Sequence, residues 1–372
     1  MIKIGIIGHK EVPSYNGGIE AVLTEMLPLF DKNDIELTIY NRWTTFYRIS
    51  EWKEKKQYAG FKVVRIPTFK KSFLNAFVYS VLASIHAMFS SYDIVHYHAE
   101  GPSAMAFLPK IMKKKIVCTN HGLDWNRSKW GGFATKYLKF GEKMSVCLSD
   151  ALIVLSDTIS KYFKDTYNKD TIIIKNGINI NDRIEANLIT DRFGLDFSSY
   201  YLALGRMVPE KGFHYLIDAY LKLNTDIKLV IAGELTNSEY CIKLKEQAKN
   251  NQNIIFTGFV DGDVKQELFS NAFAYVIPSD LEGMSISLLE ALSYGCHVLA
   301  SNIPENTNIY DEEISFFEKG DVDSLVDALQ IIKPHSEELK NKQISFIEKH
   351  YNWKQIVEET TDIYIKVMGI ER

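Results

Sequence analysis

Little in this sequence points to chemistry carried by sulfur or metal. Its 372 residues hold four cysteines, Cys118, Cys147, Cys241 and Cys296, with no close pair, no C-x-x-C and no zinc-ligand spacing. Each lies in or beside an apolar run, so each is expected as a buried free thiol, and a reducing compartment fits. An excess of basic charge is also missing. The net charge of −4 argues against nucleic-acid binding as the main role. No G-x-G-x-x-G occurs, so a dinucleotide fingerprint is absent. Met1–Gly8 reads as a strand and lacks the features of a signal peptide. One stretch without formal charge, Ser72–Tyr92, is long enough to span a bilayer, but Asn75, Ser80, Ser84, His86, Ser90 and Ser91 interrupt it. It is expected as a buried helix, with a membrane span and a helix touching the membrane surface as alternatives.

What is present is apolar and alternating. Hydrophobic residues make up 46% of the chain, enough to build two cores rather than a disordered segment. In the first half, strands are expected at Ile2–Gly8, Ile35–Asn41, Phe61–Pro67, Asp93–His98, Lys115–His121, Ala151–Ser156 and Thr171–Gly177. In the second half they are expected at Tyr201–Gly205, Ile227–Gly233, Ile254–Phe259, Phe273–Pro278, His297–Ser301 and Ile314–Phe317. Most are near-continuous Ile, Val and Leu, the pattern of parallel strands covered on both faces. Helical stretches fit between them: Ile19, Val22, Leu23, Met26, Leu27 and Phe30 share one helical face, and Phe213–Leu223 and Ser285–Tyr294 follow the same scheme. The fold class is therefore α/β, with two doubly wound Rossmann-like domains and no sequence repeat between them. The turn signal Asn176-Gly177 and the polar stretch after it set the expected boundary: residues 1–180 form the first domain and 181–352 the second.

Ligands of open α/β sheets sit beyond the carboxyl ends of strands, and two such domains facing each other would leave a cleft. Candidate residues are therefore those that follow strands. Gly205-Arg206 and Pro209-Glu210-Lys211-Gly212 place two cations after one strand, suited to gripping a diphosphate or, alternatively, forming a solvated basic turn. Ser279–Glu290 runs from a strand end into a helix whose free N–H groups attract anions. Within it Gly283 allows close approach, and Glu282 and Glu290 can accept from sugar and ribose hydroxyls. Ser287-x-x-Glu290 also reads as a capping box, so Glu290 stays open between capping and binding. Asn16-Gly17-Gly18-Ile19-Glu20 is a strand-to-helix turn able to admit a phosphate or sugar, or an ordinary tight turn. His121 ends a strand, where a neutral imidazole can bond a hydroxyl or move a proton, or be a satisfied structural group. Trp125 and Trp130 offer flat faces of the kind sugars stack on, and His96, His98 and Glu100 close the preceding strand.

Two D-x-D runs, Asp261-Gly262-Asp263 and Asp321-Val322-Asp323, precede expected helices, where Asp caps and favours the dipole; no metal is expected. Lys70-Lys71 beside Phe69 and Phe73, and Lys113-Lys114-Lys115 beside Ile111 and Met112, mix basic and apolar groups as lipid-binding patches do, and as solvated faces also do.

Together these clusters resemble glycosyltransferase family 4, retaining enzymes of the GT-B fold. GRMVPEKGFHYLIDAY, Gly205–Tyr220, is similar to the donor-phosphate motif, and Glu282 and Glu290 to the E-x7-E motif. IAGE at Ile231–Glu234, TGFV at Thr257–Val260 and NGI at Asn176–Ile178 fall where the family has its turns. GHKEVPSYNGGIE, Gly8–Glu20, and HGLDWNRSKW, His121–Trp130, resemble a bacterial subgroup that includes rhamnosyltransferases of surface-polysaccharide synthesis.

The resemblance implies a nucleotide-sugar donor (UDP-, GDP- or dTDP-linked), a glycan or lipid-linked acceptor, and a cytoplasmic site at the inner face of the plasma membrane with peripheral membrane contact. It implies no cofactor. It assigns Arg206 and Lys211 to the diphosphate, Glu290 to the ribose, Glu282 with Gly283, Met284, Ser285 and Ile286 to the donor sugar, and Gly17 and Gly18 to the diphosphate from the other domain. Gly205, Glu234, Phe259 and Val260 would line the nucleotide, and His121 would join the catalytic set. Acceptor-side contacts fall on His98, Glu100, Trp125 and Trp130, and the C-terminal helix, residues 353–372, would pack back on the first domain. Departures exist: Glu282-Gly283-Met284-Ser285 replaces the common E-G-F-G, His297 stands where Pro is frequent, and His121 where the subgroup often has an acid. A sugar-nucleotide epimerase on the same fold and a non-catalytic sugar-nucleotide-binding subunit are the rival readings.

Overall fold

The Ile-, Val- and Leu-rich runs become short parallel strands, each buried on both faces by the helices that connect them. The computed structural model describes residues 1–44, 56–69, 72–123, 125, 132–309, 314–334 and 336–370. Its two compact units are Met1–Gly177 with Trp353–Arg372, and Ile178–Asn352. The change of unit falls directly after Asn176-Gly177, three residues earlier than the sequence boundary.

Among the described residues the first unit carries an eight-stranded sheet: β1 (Ile2–Ile7), β2 (Ile35–Thr44), β3 (Gln57–Tyr58), β4 (Phe61–Thr68), β5 (Ile94–His98), β6 (Lys115–Asn120), β7 (Ala151–Val154) and β8 (Ile172–Ile173). The order is β3-β4-β2-β1-β5-β6-β7-β8, parallel except for β3. That edge hairpin escapes a reading by sequence pattern, because two residues carry no periodicity. The last strand shrinks from the expected Thr171–Gly177 to two residues. The helices are α1 (Gly18–Met26), α2 (Ser72–Phe89), α3 (Glu100–Ser103), α4 (Phe107–Ile111), α5 (Phe133–Leu148) and α6 (Asp157–Tyr167).

Two expectations need correction here. Ser72–Tyr92 is helical to Phe89 but only one face is buried, that of Tyr79, Ser80, Ala83, Ser84 and Ala87. No helix among the described residues is long and apolar enough to cross a membrane. Cys147 is exposed on the outer face of α5, whereas Cys118, Cys241 and Cys296 are buried free thiols.

Tyrosines fix the strand ends of this unit. Tyr79 donates from its hydroxyl to the Tyr40 carbonyl at 2.6 Å and accepts from Gly8 N–H at 3.1 Å. Gly8 itself has φ +134°, and a Cβ there would stand 2.1 Å from the His98 carbonyl oxygen, so β1 and β5 end in direct backbone contact. The C-terminal helix, Trp353–Met368, packs on α1 and β6. Its Tyr364 hydroxyl meets His96 Nδ1 at 2.7 Å in the core, while His96 Nε2 meets Thr119 Oγ1 at 2.7 Å.

The second unit has a six-stranded, all-parallel sheet among the described residues. Its strands are β9 (Tyr200–Leu204), β10 (Lys228–Ala232), β11 (Ile254–Gly258), β12 (Ala274–Ile277), β13 (Val298–Ser301) and β14 (Ile314–Phe317), in the order β11-β10-β9-β12-β13-β14. Its helices are α7 (Leu188–Phe193), α8 (Phe213–Lys222), α9 (Glu239–Ala248), α10 (Gly262–Asn271), α11 (Ile286–Ser293), α12 (Pro304–Thr307), α13 (Val322–Ile331) and α14 (Glu337–His350). Two apolar layers sandwich the sheet, one around Tyr200, Phe269, Tyr275 and Leu288, the other around Phe213, Leu216, Leu244 and Leu325. Each large side chain fully buried there contributes about 1.5–3 kcal/mol. In both units the chain leaves the first strand in one direction and later crosses to its other side, which creates a crevice at β1/β5 and at β9/β12.

Replacing Tyr364 by Phe leaves His96 Nδ1 short of a partner. The expected cost is about 1–3 kcal/mol, seen in circular dichroism as a fall of about 2–4 °C in melting midpoint per kcal/mol; an unchanged midpoint would refute the anchoring role. Acid should also weaken this unit. Burial pushes His9 down to about 4 and His96 to about 3, the latter with help from His121, and it lowers His98 well below the usual range. These groups are neutral when folded but titrate near 6.5 when unfolded, so the unfolded chain binds more protons at acid pH. Their stability contribution is full above pH 6.5 and is lost progressively down to pH 3–4, at up to about 1.4 kcal/mol per pH unit for each histidine. Urea titrations at pH 7.5, 6 and 5 would show it.

Candidate active site

In the second unit the strand-end residues converge. Gly205 follows β9 and donates its N–H to the Ala232 carbonyl at 3.0 Å. A 3-10 turn, Pro209–Lys211, then leads to Gly212 and α8. Gly212 has φ +67°, and a Cβ there would lie 1.9 Å from the Pro278 carbonyl oxygen. Only glycine lets this turn rest against the end of β12. Asp280 N–H also donates to the Glu210 carbonyl at 2.9 Å.

This contact unites two clusters 71 residues apart. Lys211 Nζ lies 2.5 Å from Glu282 Oε1, and Ser279 Oγ donates to the same oxygen at 2.6 Å. Both side chains of the ion pair are largely buried. Arg206 is exposed beside them, and its guanidinium has no partner among the described residues. Glu305 of α12 stands close enough to Glu282 to feel its charge; burial first and then Glu282 raise the Glu305 carboxyl above its ordinary range.

The helix after this loop settles the capping question. Ser285 caps α11, its Oγ accepting from Leu288 N–H at 3.3 Å. The helix thus starts before Ser287, and the capping-box reading of Ser287 and Glu290 does not hold. Glu290 lies in the second turn, where its Oε1 pairs with Lys265 Nζ of α10. Gly283, Met284 and Ile286 are half-buried, and Met284 leans on the core with Val260. Glu234 and Phe259, beyond β10 and β11, are exposed. Asp321 is a cap, its Oδ1 accepting from Asp323 and Ser324 N–H at 2.9 and 3.0 Å. His297 bonds Ser315 Oγ at 2.9 Å and the Lys333 carbonyl, tying β13 to β14.

In the first unit Gly17 is the extended N-cap of α1, with Gly18 its first residue. Glu20 folds back to accept from Lys10 N–H at 2.7 Å, and a Cβ on Gly17 would lie 2.0 Å from its other oxygen. Four histidines gather at the carboxyl ends of β1, β5 and β6: His9, His96, His98 and His121. His98 Nδ1 meets His121 Nε2 at 2.9 Å, the His96 and His98 rings are 4.3 Å apart, and His9 Nε2 meets Asn41 Oδ1 at 2.9 Å. His9 Nδ1 and His98 Nε2 are buried without a hydrogen-bond partner among the described residues. Glu100 is buried and accepts from Asn120 Nδ2 at 3.4 Å. Trp125 is not an open platform: its Nε1 donates to Glu142 Oε2 at 2.7 Å, and Lys139 Nζ stands 4.3 Å over its ring. Trp130 lies outside the described residues.

Sequence reasoning assigned no role to His9, Lys265 or Glu305, and named Ser279 only as the start of the Ser279–Glu290 cluster. His9 lies two residues after the end of β1, so the strand-end rule could have found it. Lys265 lies mid-helix, where nothing in the sequence marks it.

The comparisons with known proteins divide along the same line as the units. The model described as Glycosyltransferase Family 4 matches residues 16–182, and the model described as Glycosyl transferases group 1 matches residues 195–359. An uncharacterised glycosyltransferase of Methanocaldococcus jannaschii is 29% identical over 302 residues, covering 75% of this chain and 77% of that protein. An O-antigen biosynthesis glycosyltransferase of Escherichia coli is 23% identical over 281 residues, covering 73% and 79%. An Anabaena protein solved with UDP and glucose superposes with a TM-score of 0.77 over 98% of this chain and all of that one, at 15% identity. With a family match on each of two doubly wound sheets, the chain belongs to the family 4 glycosyltransferases and has the GT-B fold.

Proposed function

We propose that this glycosyltransferase moves a hexose or deoxyhexose, with retention and without a metal, from a nucleoside-diphosphate sugar to a lipid-linked glycan. The product would serve bacterial capsule, O-antigen or exopolysaccharide synthesis, at the cytoplasmic face of the plasma membrane. The observation that carries the reading is the trio Arg206, Lys211 and Glu282 at the β9/β12 crevice. Two cations and one carboxylate there match a diphosphate leaving group and a sugar hydroxyl. The relatives in O-antigen synthesis and the Anabaena neighbour with UDP support the donor class and the pathway.

The residues divide the work by charge. Arg206 and Lys211 meet the negative charge that grows on the diphosphate as the bond from the anomeric carbon to phosphate oxygen breaks. Glu282 and the N–H groups of Gly283 to Ser285 hold the sugar. Glu290, steadied by Lys265, accepts from the ribose diol, and Phe259 and Val260 border the base. The acceptor oxygen bonds the anomeric carbon on the face the phosphate leaves. Its proton passes to the departing phosphate oxygen, so the nucleoside diphosphate leaves with the bonding electron pair.

The test is a panel of UDP-, GDP- and dTDP-sugars with and without bacterial lipid extract, read as nucleotide release and sugar transfer. Acceptor-dependent release from one donor is expected. Lys211→Ala should slow turnover about 10²–10³-fold. Glu290→Ala should raise the donor KM roughly 10- to 100-fold, the loss of about 1.5–3 kcal/mol of charged hydrogen bonding. Lys265→Met should raise KM in the same direction by less. A new sugar nucleotide formed without acceptor would instead identify an epimerase, and donor binding without turnover a non-catalytic subunit.

A further inference from the structure

The helix α2 is apolar on its outer face as well as its inner one. Facing the core it places Tyr79, Ala83 and Ala87 with Ser80 and Ser84; the Ser80 hydroxyl donates to the Ala76 carbonyl, and Ser84 Oγ accepts from the Tyr97 hydroxyl. Facing outward it places Leu74, Leu82, Ile85 and Phe89, spaced so that they form one stripe, with Phe89 74% exposed. From Leu74 to Phe89 that stripe runs about 22 Å at 1.5 Å per residue. A surface helix of a protein meeting only water carries polar and charged residues on that outer face.

The surroundings extend the patch and give it a charge. Lys114 Nζ reaches the Ser90 and Tyr92 carbonyls at 2.5 and 2.9 Å, which draws the end of α4 to the end of α2. The helices α2 and α4 pack together, and at the end of α4 Ile111 and Met112 are 65% and 51% exposed. The helix α4 also packs on α5, whose exposed stripe reads Phe133, Lys136, Phe140, Lys143 and Cys147. Between Ser72 and Asp150 the acids among the described residues are Asp93, Glu100, Glu142 and Asp150. Glu100 and Glu142 are buried, and Asp150 is held by Lys110 and Lys115. Lys113, Lys136 and Lys143 are exposed and pair with no acid among the described residues.

We propose that this face, formed by α2, α4 and α5, docks on an anionic lipid bilayer. Leu82, Ile85, Phe89, Ile111 and Met112 enter the headgroup–acyl boundary, and Lys113, Lys136 and Lys143 meet lipid phosphates. A second copy of the chain fits less well, because a self-association of this face would press unpaired lysines against like charge. Lys70 and Lys71 lie outside the described residues and carry none of this. A lipid-linked acceptor, proposed above, gives the docking its use. Vesicle binding is measured without donor or acceptor, so either reading can fail while the other stands.

The full chain is sedimented with vesicles of phosphatidylcholine alone and of phosphatidylcholine with phosphatidylglycerol. Binding should rise with phosphatidylglycerol and fall with added salt. Lys136→Gln with Lys143→Gln should weaken binding to the anionic vesicles about fivefold per lysine and leave the neutral ones unaffected. Ile85→Ser with Phe89→Ser should weaken it roughly tenfold or more. Phe89→Trp, which keeps the fold's exposed aromatic, should shift its emission to the blue on anionic vesicles. Wild-type protein that ignores phosphatidylglycerol, variants that bind as wild type, or an unshifted emission from the Phe89→Trp variant would each overturn the assignment. So would a concentration-dependent dimer that Ile85→Ser with Phe89→Ser abolishes while no vesicle binding is seen.

Discussion

The approach of the Gly212 backbone to the Pro278 carbonyl sets the geometry of the donor-side site. It brings the turn after β9 against the end of β12, so Lys211 and Glu282 close into a buried ion pair. A side chain at Gly212 would demand both a strained φ and about 1 Å or more of separation, moving Lys211 away from its partner. The rest of the site hangs from this contact. Ser279 fixes the carboxylate, the loop to Ser285 caps α11, and α11 carries Glu290 into reach of Lys265. Arg206, left without a partner among the described residues, is the cation first available to an arriving anion.

Much of the fold was legible because parallel strands write their burial into uninterrupted Ile, Val and Leu. Tyr201–Gly205 and Ile314–Phe317 fell within a residue of their observed limits for this reason. Gln57–Tyr58 was invisible, since its pairing with β4 is set by a hairpin rather than by its own pattern. The site was legible where it follows strand ends, as at Arg206 and Lys211. Its pairings were not: that Lys211 meets Glu282, and Lys265 meets Glu290, depends on distances no spacing encodes. Ser287 misled for a local reason, because Ser285 captured the cap two residues earlier. Trp125 misled because a flat ring in sequence says nothing of the Glu142 and Lys139 that occupy it.

The two units answer the same topology with different side-chain chemistry. Beyond β9 and β12 stand charges that neutralise one another. On and after β1 and β5 stand imidazoles, those of His9, His96 and His98, that burial keeps neutral. A neutral imidazole can accept or donate a hydrogen bond without the cost of carrying charge into the core, and the chain of His96, His98 and His121 is held by Tyr364 and Thr119 at its inner end. Its order therefore depends on the C-terminal helix as much as on the strands that bear it.

That dependence has a consequence for synthesis. Tyr364 lies 268 residues after His96, and Trp353 fills the space beside Gly177 only after the whole second unit has been made. Domains fold as units while the ribosome is still adding residues. The unit that emerges second holds all its own described strands and helices by Asn352, whereas the unit that emerges first must wait for the helix Trp353–Met368. On the ribosome, then, of these two units the one begun earlier is completed later, and its histidine chain becomes ordered only after the other unit is whole.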